Sequence, residues 1–187
     1  MPGTWQPKRM GARASGLVAL ALLCVGTAAG AQPTDQAVKA AFLAKFARYV
    51  SWPPAARPGP GAALQLCIIG QDNLGALIDR ATAGQAVDEH PIAIRRIASP
   101  EQAASCQVAF VDGGSTKSTA ALLAALRGQP VLTVTDAGAG TARGMIHFVV
   151  IDGRVRFYID RTAASAARLT IDSRLLSLAV GVRQARS

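Results

Sequence analysis

Histidine, cysteine and aromatic residues are all scarce in this chain, and each shortage closes off a class of chemistry. His90 and His147 are the only histidines, and Cys24, Cys67 and Cys106 the only thiols, so a zinc site lacks ligands. No C-x-x-C spacing exists for redox work. No Gly-x-Ser-x-Gly elbow exists for a hydrolytic serine, and no carboxylate pair stands out for glycoside chemistry. His147 sits at an alternating strand position and His90 in a polar turn before Pro91, while Asp136 and Asp152 follow strands as turn-forming acids do. No catalytic residue, metal or cofactor is therefore assigned.

Acids are also few, 11 against 20 Lys and Arg. The arginines are scattered and no aromatics alternate with them, so a nucleic-acid groove with a basic stripe and stacking platforms is not expected. The basic balance instead favours acidic partners or anionic head groups, or simply solubility. Two glycine loops invite a phosphate reading. Asp112-Gly-Gly-Ser-Thr-Lys-Ser118 has Thr116 where a phosphate loop needs Gly, and Gly70-Gln-Asp-Asn-Leu-Gly75 has no Lys at all. Both read as strand-to-helix turns.

The N-terminus indicates export. Lys8, Arg9 and Arg13 precede the apolar run Ser15 to Ala29, and Ala29-Gly30-Ala31 offers a small-x-small cleavage pattern. The run is short for a bilayer span, and Leu22-Leu23 before Cys24 argues against a lipoprotein. Residues 1–31 are expected to be a signal peptide cleaved after Ala31, leaving 32–187 as one domain. Removing three basic residues and no acid leaves 17 against 11, a net charge of +6. Cys67 and Cys106 then remain as an even pair in an oxidising compartment, which reads as a structural disulfide.

Half of the mature chain's aromatics fall in eleven positions: Phe42, Phe46, Tyr49 and Trp52. Val38, Phe42, Phe46 and Tyr49 share one face at helical spacing, with Thr34 as N-cap and Pro53-Pro54 as the stop. The plain reading is an amphipathic helix anchoring the core; a ligand or partner groove is the alternative. Downstream, apolar runs at 64–69, 91–97, 108–111, 130–135, 144–150 and 154–160 read as strands. Helical spacing lies at 73–80 and 118–127, and again from Arg161 and through Leu175, Leu176, Leu178, Ala179 and Val182. Ile151-Asp-Gly153 marks a hairpin. The alternation implies an α/β fold. It is a single three-layer domain, a mostly parallel sheet with a C-terminal antiparallel hairpin and flanking helices. Parallel neighbours at 64–69 and 108–111 would bring Cys67 and Cys106 within bridging distance.

These blocks resemble the YfiR-like family. The helix 38–53 matches its opening signature. Leu66-Cys67-Ile-Ile-Gly70, Ser105-Cys106-Gln-Val-Ala-Phe-Val111, Pro130-Val-Leu-Thr-Val-Thr-Asp136, Gly144-Met-Ile-His-Phe148, Arg156-Phe-Tyr-Ile-Asp160 and Leu175-Leu-Ser-Leu-Ala179 follow in order. The resemblance implies a non-enzymatic periplasmic repressor, often dimeric, with a Cys67–Cys106 disulfide. Its implied partner is an inner-membrane diguanylate cyclase or another membrane sensor, and an OmpA/Pal-type outer-membrane lipoprotein can sequester such repressors. Two departures stand out. This chain lacks the second Cys pair that some members carry after the Pro130 strand, and Tyr158 stands where Glu is more common.

Arg154, Arg156 and Tyr158 alternate onto one strand face while Val155, Phe157 and Ile159 take the other. With Arg174 and Leu178 of the last helix (Arg174 to Arg183), they form the expected partner-binding surface. A periplasmic solute-binding or enzymatic accessory domain, using the aromatic helix and the Trp52 loop as a pocket, is the rival reading.

Overall fold

A computed structural model describes residues 1–4 and 33–184 of the chain. The signal-peptide reading falls almost wholly outside the described residues. Among them, no helix is long and apolar enough to cross a membrane.

Helix α1 spans Asp35–Phe46 and passes into a 3-10 turn at Ala47–Tyr49. Thr34 caps it, its hydroxyl accepting from Ala37 N–H at 3.2 Å. Ala40, Leu43, Phe46 and Ala47 are buried, with Val38, Phe42 and Tyr49 packed at the margin. The core reading of this helix is correct. Phe42 and Phe46 each meet Phe148 and Phe157, at centroid separations between 5.2 and 6.4 Å. The tilted and edge-on geometries suit the ring quadrupoles.

The strands follow in chain order as β1 (Val50–Ser51), β2 (Leu64–Gly70), β3 (Ala86–Val87), β4 (His90–Ile97) and β5 (Val108–Asp112). Then come β6 (Leu132–Asp136), β7 (Ile146–Ile151), β8 (Arg154–Asp160), β9 (Thr170–Ile171) and β10 (Gly181–Arg183). Eight of them form one sheet in the order β10-β8-β7-β6-β5-β2-β4-β3, and β1 pairs with β9 separately. The run from β4 through β2, β5 and β6 to β7 is parallel, and β7–β8 and β3–β4 are antiparallel. Helices α1 and α2 (Ala76–Thr82) cover one face, where Leu66, Ile68, Phe110, Val134 and Phe157 point. Helix α3 (Thr116–Ala125) covers the other, over Cys67, Ile69, Ala109 and Val111. This is the three-layer α/β arrangement that the strand–helix alternation predicts.

The disulfide belongs to the α3 side. Cys67 lies mid-strand in β2 and Cys106 two residues before β5, with alpha carbons 5.9 Å apart. The two strands are parallel neighbours, Cys67 facing Ala109 in the ladder. Both cysteines are buried.

Three parts of the sequence reading need correction. The C-terminal segment is not a helix from Arg174 to Arg183. Helix α4 spans Arg161–Ala166, helix α5 is only Ser173–Leu176, and β10 then adds parallel to β8, Val180 N–H donating to the Phe157 carbonyl at 3.0 Å. The apolar spacing there satisfies a helical template, but Leu178 is 59% exposed, and the free edge of β8 offers the backbone a better partner. His90 opens β4 rather than sitting in a turn, because a hairpin through Asp88 and Glu89 pairs Val87 with it. The segment after α1 makes a two-residue strand, which periodicity over longer windows does not detect.

Two outcomes follow from this packing. Thiol labelling of the unfolded, unreduced mature protein is expected to find no free sulfhydryl, and Cys67→Ser to lower stability by about 2–4 kcal/mol in urea unfolding. Phe46→Ala removes the ring that touches both strands of the hairpin and is expected to cost about 3–5 kcal/mol. An unchanged melting temperature in that variant would disprove the anchoring role.

Candidate functional site: the β8 strip and an adjoining polar cluster

The hairpin turn sets the register of the whole strip. Asp152 and Gly153 both have positive φ, 50° and 66°, the conformation of a two-residue turn that follows the strand twist. The pairing that results is Ile151 to Arg154, Val149 to Arg156 and His147 to Tyr158. Val155, Phe157 and Ile159 then fall into the α1-side core, and Arg154, Arg156 and Tyr158 onto the opposite face. Arg154 is exposed, and Arg156 and Tyr158 are half-buried. Strand β10 covers only Tyr158–Asp160, so the Arg154 end of β8 remains an open sheet edge.

The other two expected surface residues go different ways. Leu178 is exposed on the connection that leads to β10, near Phe157, and Val180 beside it is also exposed. Arg174 is drawn to the α1 side. Its guanidinium lies 5.7 Å over the Tyr49 ring, and its Nε and Nη2 each donate to Asp172 at 3.0 Å. Arg154, Arg156 and Tyr158 thus share one face, with Leu178 at its margin and Arg174 set apart.

Behind the strip lies a polar cluster that sequence reading misses. Lys39 of α1, 5% exposed, donates from Nζ to Asp136 Oδ2 at 2.6 Å, and both side chains are shut off from solvent. Asp136 Oδ1 also accepts from Gly138 N–H at 3.0 Å, so its turn-forming role holds alongside the ion pair. Removing either partner leaves a buried charge uncompensated, at about 3–5 kcal/mol. The sequence signal was a lysine adjoining Ala40 on the inward face of an amphipathic helix. His147, 3% exposed, lies on the other face of the sheet, its Nδ1 2.8 Å from Thr135 Oγ1. Thr135 Oγ1 in turn accepts from Gly144 N–H at 2.9 Å.

The remaining candidates resolve into structure. In the loop after β5, Asp112 Oδ1 accepts from Gly114 N–H at 2.8 Å and Ser115 Oγ from Ser118 N–H at 3.2 Å, which starts α3. The Asn73 amide donates to Asp112 Oδ2, and Gln71 N–H to the Asp112 carbonyl at 2.7 Å, filling the crevice between the ends of β2 and β5. These are the strand-to-helix turns expected. Trp52 is buried and donates from Nε1 to the Gln107 carbonyl at 3.1 Å. It borders a cavity of about 330 Å³ with Val50, Arg57, Leu64 and His90, whose lining includes the Trp52 loop of the rival reading but none of Phe42, Phe46 and Tyr49. Among the described residues, no group of three or more His, Cys, Asp or Glu is arranged to hold a metal.

Burial lowers the pKa of His147 by disfavouring its cation, and Arg143 adds to this against a smaller upward pull from Asp136. In the unfolded chain the imidazole titrates near about 6.5. Above that pH the group is neutral in both states and its contribution to stability is complete. As pH falls below it, the unfolded chain takes up the proton first and stability drains until the folded pKa is passed. Urea unfolding between about pH 7.5 and 5 is expected to show a shallower acid loss in His147→Gln than in the wild type. Equal slopes would assign the acid limb to other groups.

The curated proteins contain no match to this chain. A family model does match, over residues 36–180, through α1, the sheet and the approach to β10. The chain belongs to the YfiR/HmsC-like family, a regulatory, non-catalytic family of the periplasm associated with diguanylate cyclases.

Proposed function

We propose that this chain is a periplasmic regulator that docks on an inner-membrane diguanylate cyclase and represses cyclic-di-GMP synthesis. Residues 1–31 act as the export leader. The observation that carries the reading is the strip on β8. Among the described residues, neither Arg154 nor Arg156 meets a carboxylate, although both stand on a rigid sheet. Two unpaired guanidinium groups beside a half-buried tyrosine and the exposed Leu178 and Val180 have the composition of a protein contact. An acidic surface on the periplasmic part of the cyclase is the complement, and opposite charge speeds encounter. Family membership supports the same direction. The regulator works as a homodimer, and an OmpA/Pal-type outer-membrane lipoprotein releases the cyclase by sequestering it.

A strain lacking this protein is expected to show raised cyclic-di-GMP when the partner cyclase is expressed. Arg156→Glu is expected to reproduce that rise while the purified variant keeps its melting temperature, because among the described residues the guanidinium makes no ion pair and its one hydrogen bond goes to the adjacent Val155 carbonyl. Unchanged cyclic-di-GMP in the deletion strain would remove the repressor role.

A further inference from the structure

The other margin of the sheet, at the opposite end from the β8 strip, is also covered only in part. Strand β3 pairs with β4 at His90 and Pro91 alone, and Ile92 N–H then donates to the Gln85 carbonyl at 3.0 Å. Backbone groups along a strand point to alternate sides with a period of two. The N–H and C=O of Ile94 and Arg96 therefore point the same way as Ile92 N–H, out of the sheet, while Ala93, Arg95 and Ile97 bond to β2. Among the described residues, no strand or loop meets Ile94 and Arg96 on that side. We propose that this free edge of β4 takes up an extended segment of another protein, alternating apolar and acidic side chains, as an added antiparallel strand.

The two faces of β4 set the chemistry of that segment. On the α2 face, Ile92 and Ile94 are half-buried and border a hollow of about 440 Å³ together with Ala83, Gly84 and Ala86. A strand residue placed opposite Ile94 shares that face and the hollow, which suits an apolar side chain. Arg96 lies on the same face and is already neutralised, its Nε donating to Asp72 Oδ2 at 2.6 Å and its Nη2 to Asp79 Oδ2 at 2.8 Å. On the other face Arg95 is exposed. It donates to Ser105 Oγ and, among the described residues, meets no carboxylate. The side chain directly across from Arg95 falls on that face, and an acid there supplies the missing charge. The surplus of 17 basic residues over 11 acids in the mature chain acts in the same direction.

A second copy of this chain fits the edge poorly. A twofold axis makes the two β4 strands antiparallel and centres the pair on one residue. Centred on Ile94, the second copy's Ile97 falls opposite Pro91, the place that β3 occupies. Moving the axis to Arg95 clears β3 but sets Arg95 against its own image, at a pair outside the hydrogen-bonded positions, where side chains stand closest. Centred on Arg96, the pair keeps only Arg95 to Ile97. A foreign strand bears neither constraint, since it can end before β3 and carry an acid opposite Arg95. Main-chain bonds then supply the affinity, and the two faces the selectivity.

The test uses the mature protein labelled with nitrogen-15 and the acetylated, amidated peptide Thr-Glu-Val-Glu-Val-Thr at constant ionic strength. One control is the same peptide N-methylated at both valines, which keeps the side chains and removes main-chain donors. The other is Thr-Lys-Val-Lys-Val-Thr. In the free protein the Ile94 and Arg96 amides are expected to exchange quickly with deuterium, at a rate independent of protein concentration. The acidic peptide is expected to bind saturably and slow both, leaving the Arg95 amide, already bonded to β2, as it was. N-methylation is expected to abolish binding, and the lysine peptide to bind less tightly. Arg95→Glu is expected to weaken the acidic peptide about fivefold to thirtyfold, the scale of a cross-strand charge reversal, with Arg95→Gln between it and the wild type. Arg95 lies outside the apolar core, and an unchanged melting temperature will verify that both variants fold; the lysine peptide tests the same charge on the wild type. No saturable binding, binding that leaves Ile94 and Arg96 unprotected, or equal affinity for the acidic and lysine peptides would each overturn the proposal. Protection of the two amides that grows with protein concentration, with no peptide present, would overturn it in favour of a second copy.

Discussion

The contact on which the rest of the structure depends is the four-ring cluster of Phe42, Phe46, Phe148 and Phe157. It is where helix α1 meets the antiparallel hairpin, toward the end of the sheet away from β2 and β4. Local propensity alone leaves a helix of twelve residues marginal in water. Burying two rings against two strands stabilises the helix and fixes the tilt of the hairpin together. Everything presented on the outward face of β8 inherits its position from that contact, because successive side chains alternate faces. The outward strip of Arg154, Arg156 and Tyr158 is thus the solvent side of the same packing.

The two faces of the sheet are secured by different means. On the α1 side the closure is aromatic and aliphatic packing, reinforced by the buried Lys39–Asp136 pair that ties the helix to the end of β6. On the α3 side the apolar cluster is smaller, and a covalent bridge supplements it beside Ile69, Val111 and Leu126. A disulfide acts chiefly on the unfolded chain by closing a loop, so it compensates for limited burial without demanding more side-chain volume. An ion pair adds little net stability but strongly penalises a slipped arrangement. Packing, charge and cross-link here do separate jobs.

Much of this was legible from the residues. The strands from Leu64 to Asp160 carry apolar runs whose neighbours are turn formers, and the Asp152-Gly153 turn fixes the register of the hairpin before any coordinates are known. The disulfide followed from export and an even count of thiols. What resisted reading had a tertiary cause. The stretch Leu175 to Val182 satisfies helical spacing, yet the carbonyl of Phe157 at an open edge wins its backbone. Strands β1, β3 and β9 have two residues each, too few to carry a period. His147 looks like any strand residue until the approach of Thr135 gives its ring a buried hydrogen bond. Lys39 looks like a solvated lysine until Asp136 appears opposite.

The half-covered edge of β8 also sets a rule for self-association. A symmetric pair of copies joined along that edge would place Arg154 and Arg156 against their own images, since a twofold interface meets itself. Like charges facing across a strand pair are unfavourable, and β10 already occupies the other half of the edge. The sheet therefore repels its twin along this margin, where a further strand would otherwise fit. A second copy joined along this margin would meet like charge, and a chain of opposite charge would not.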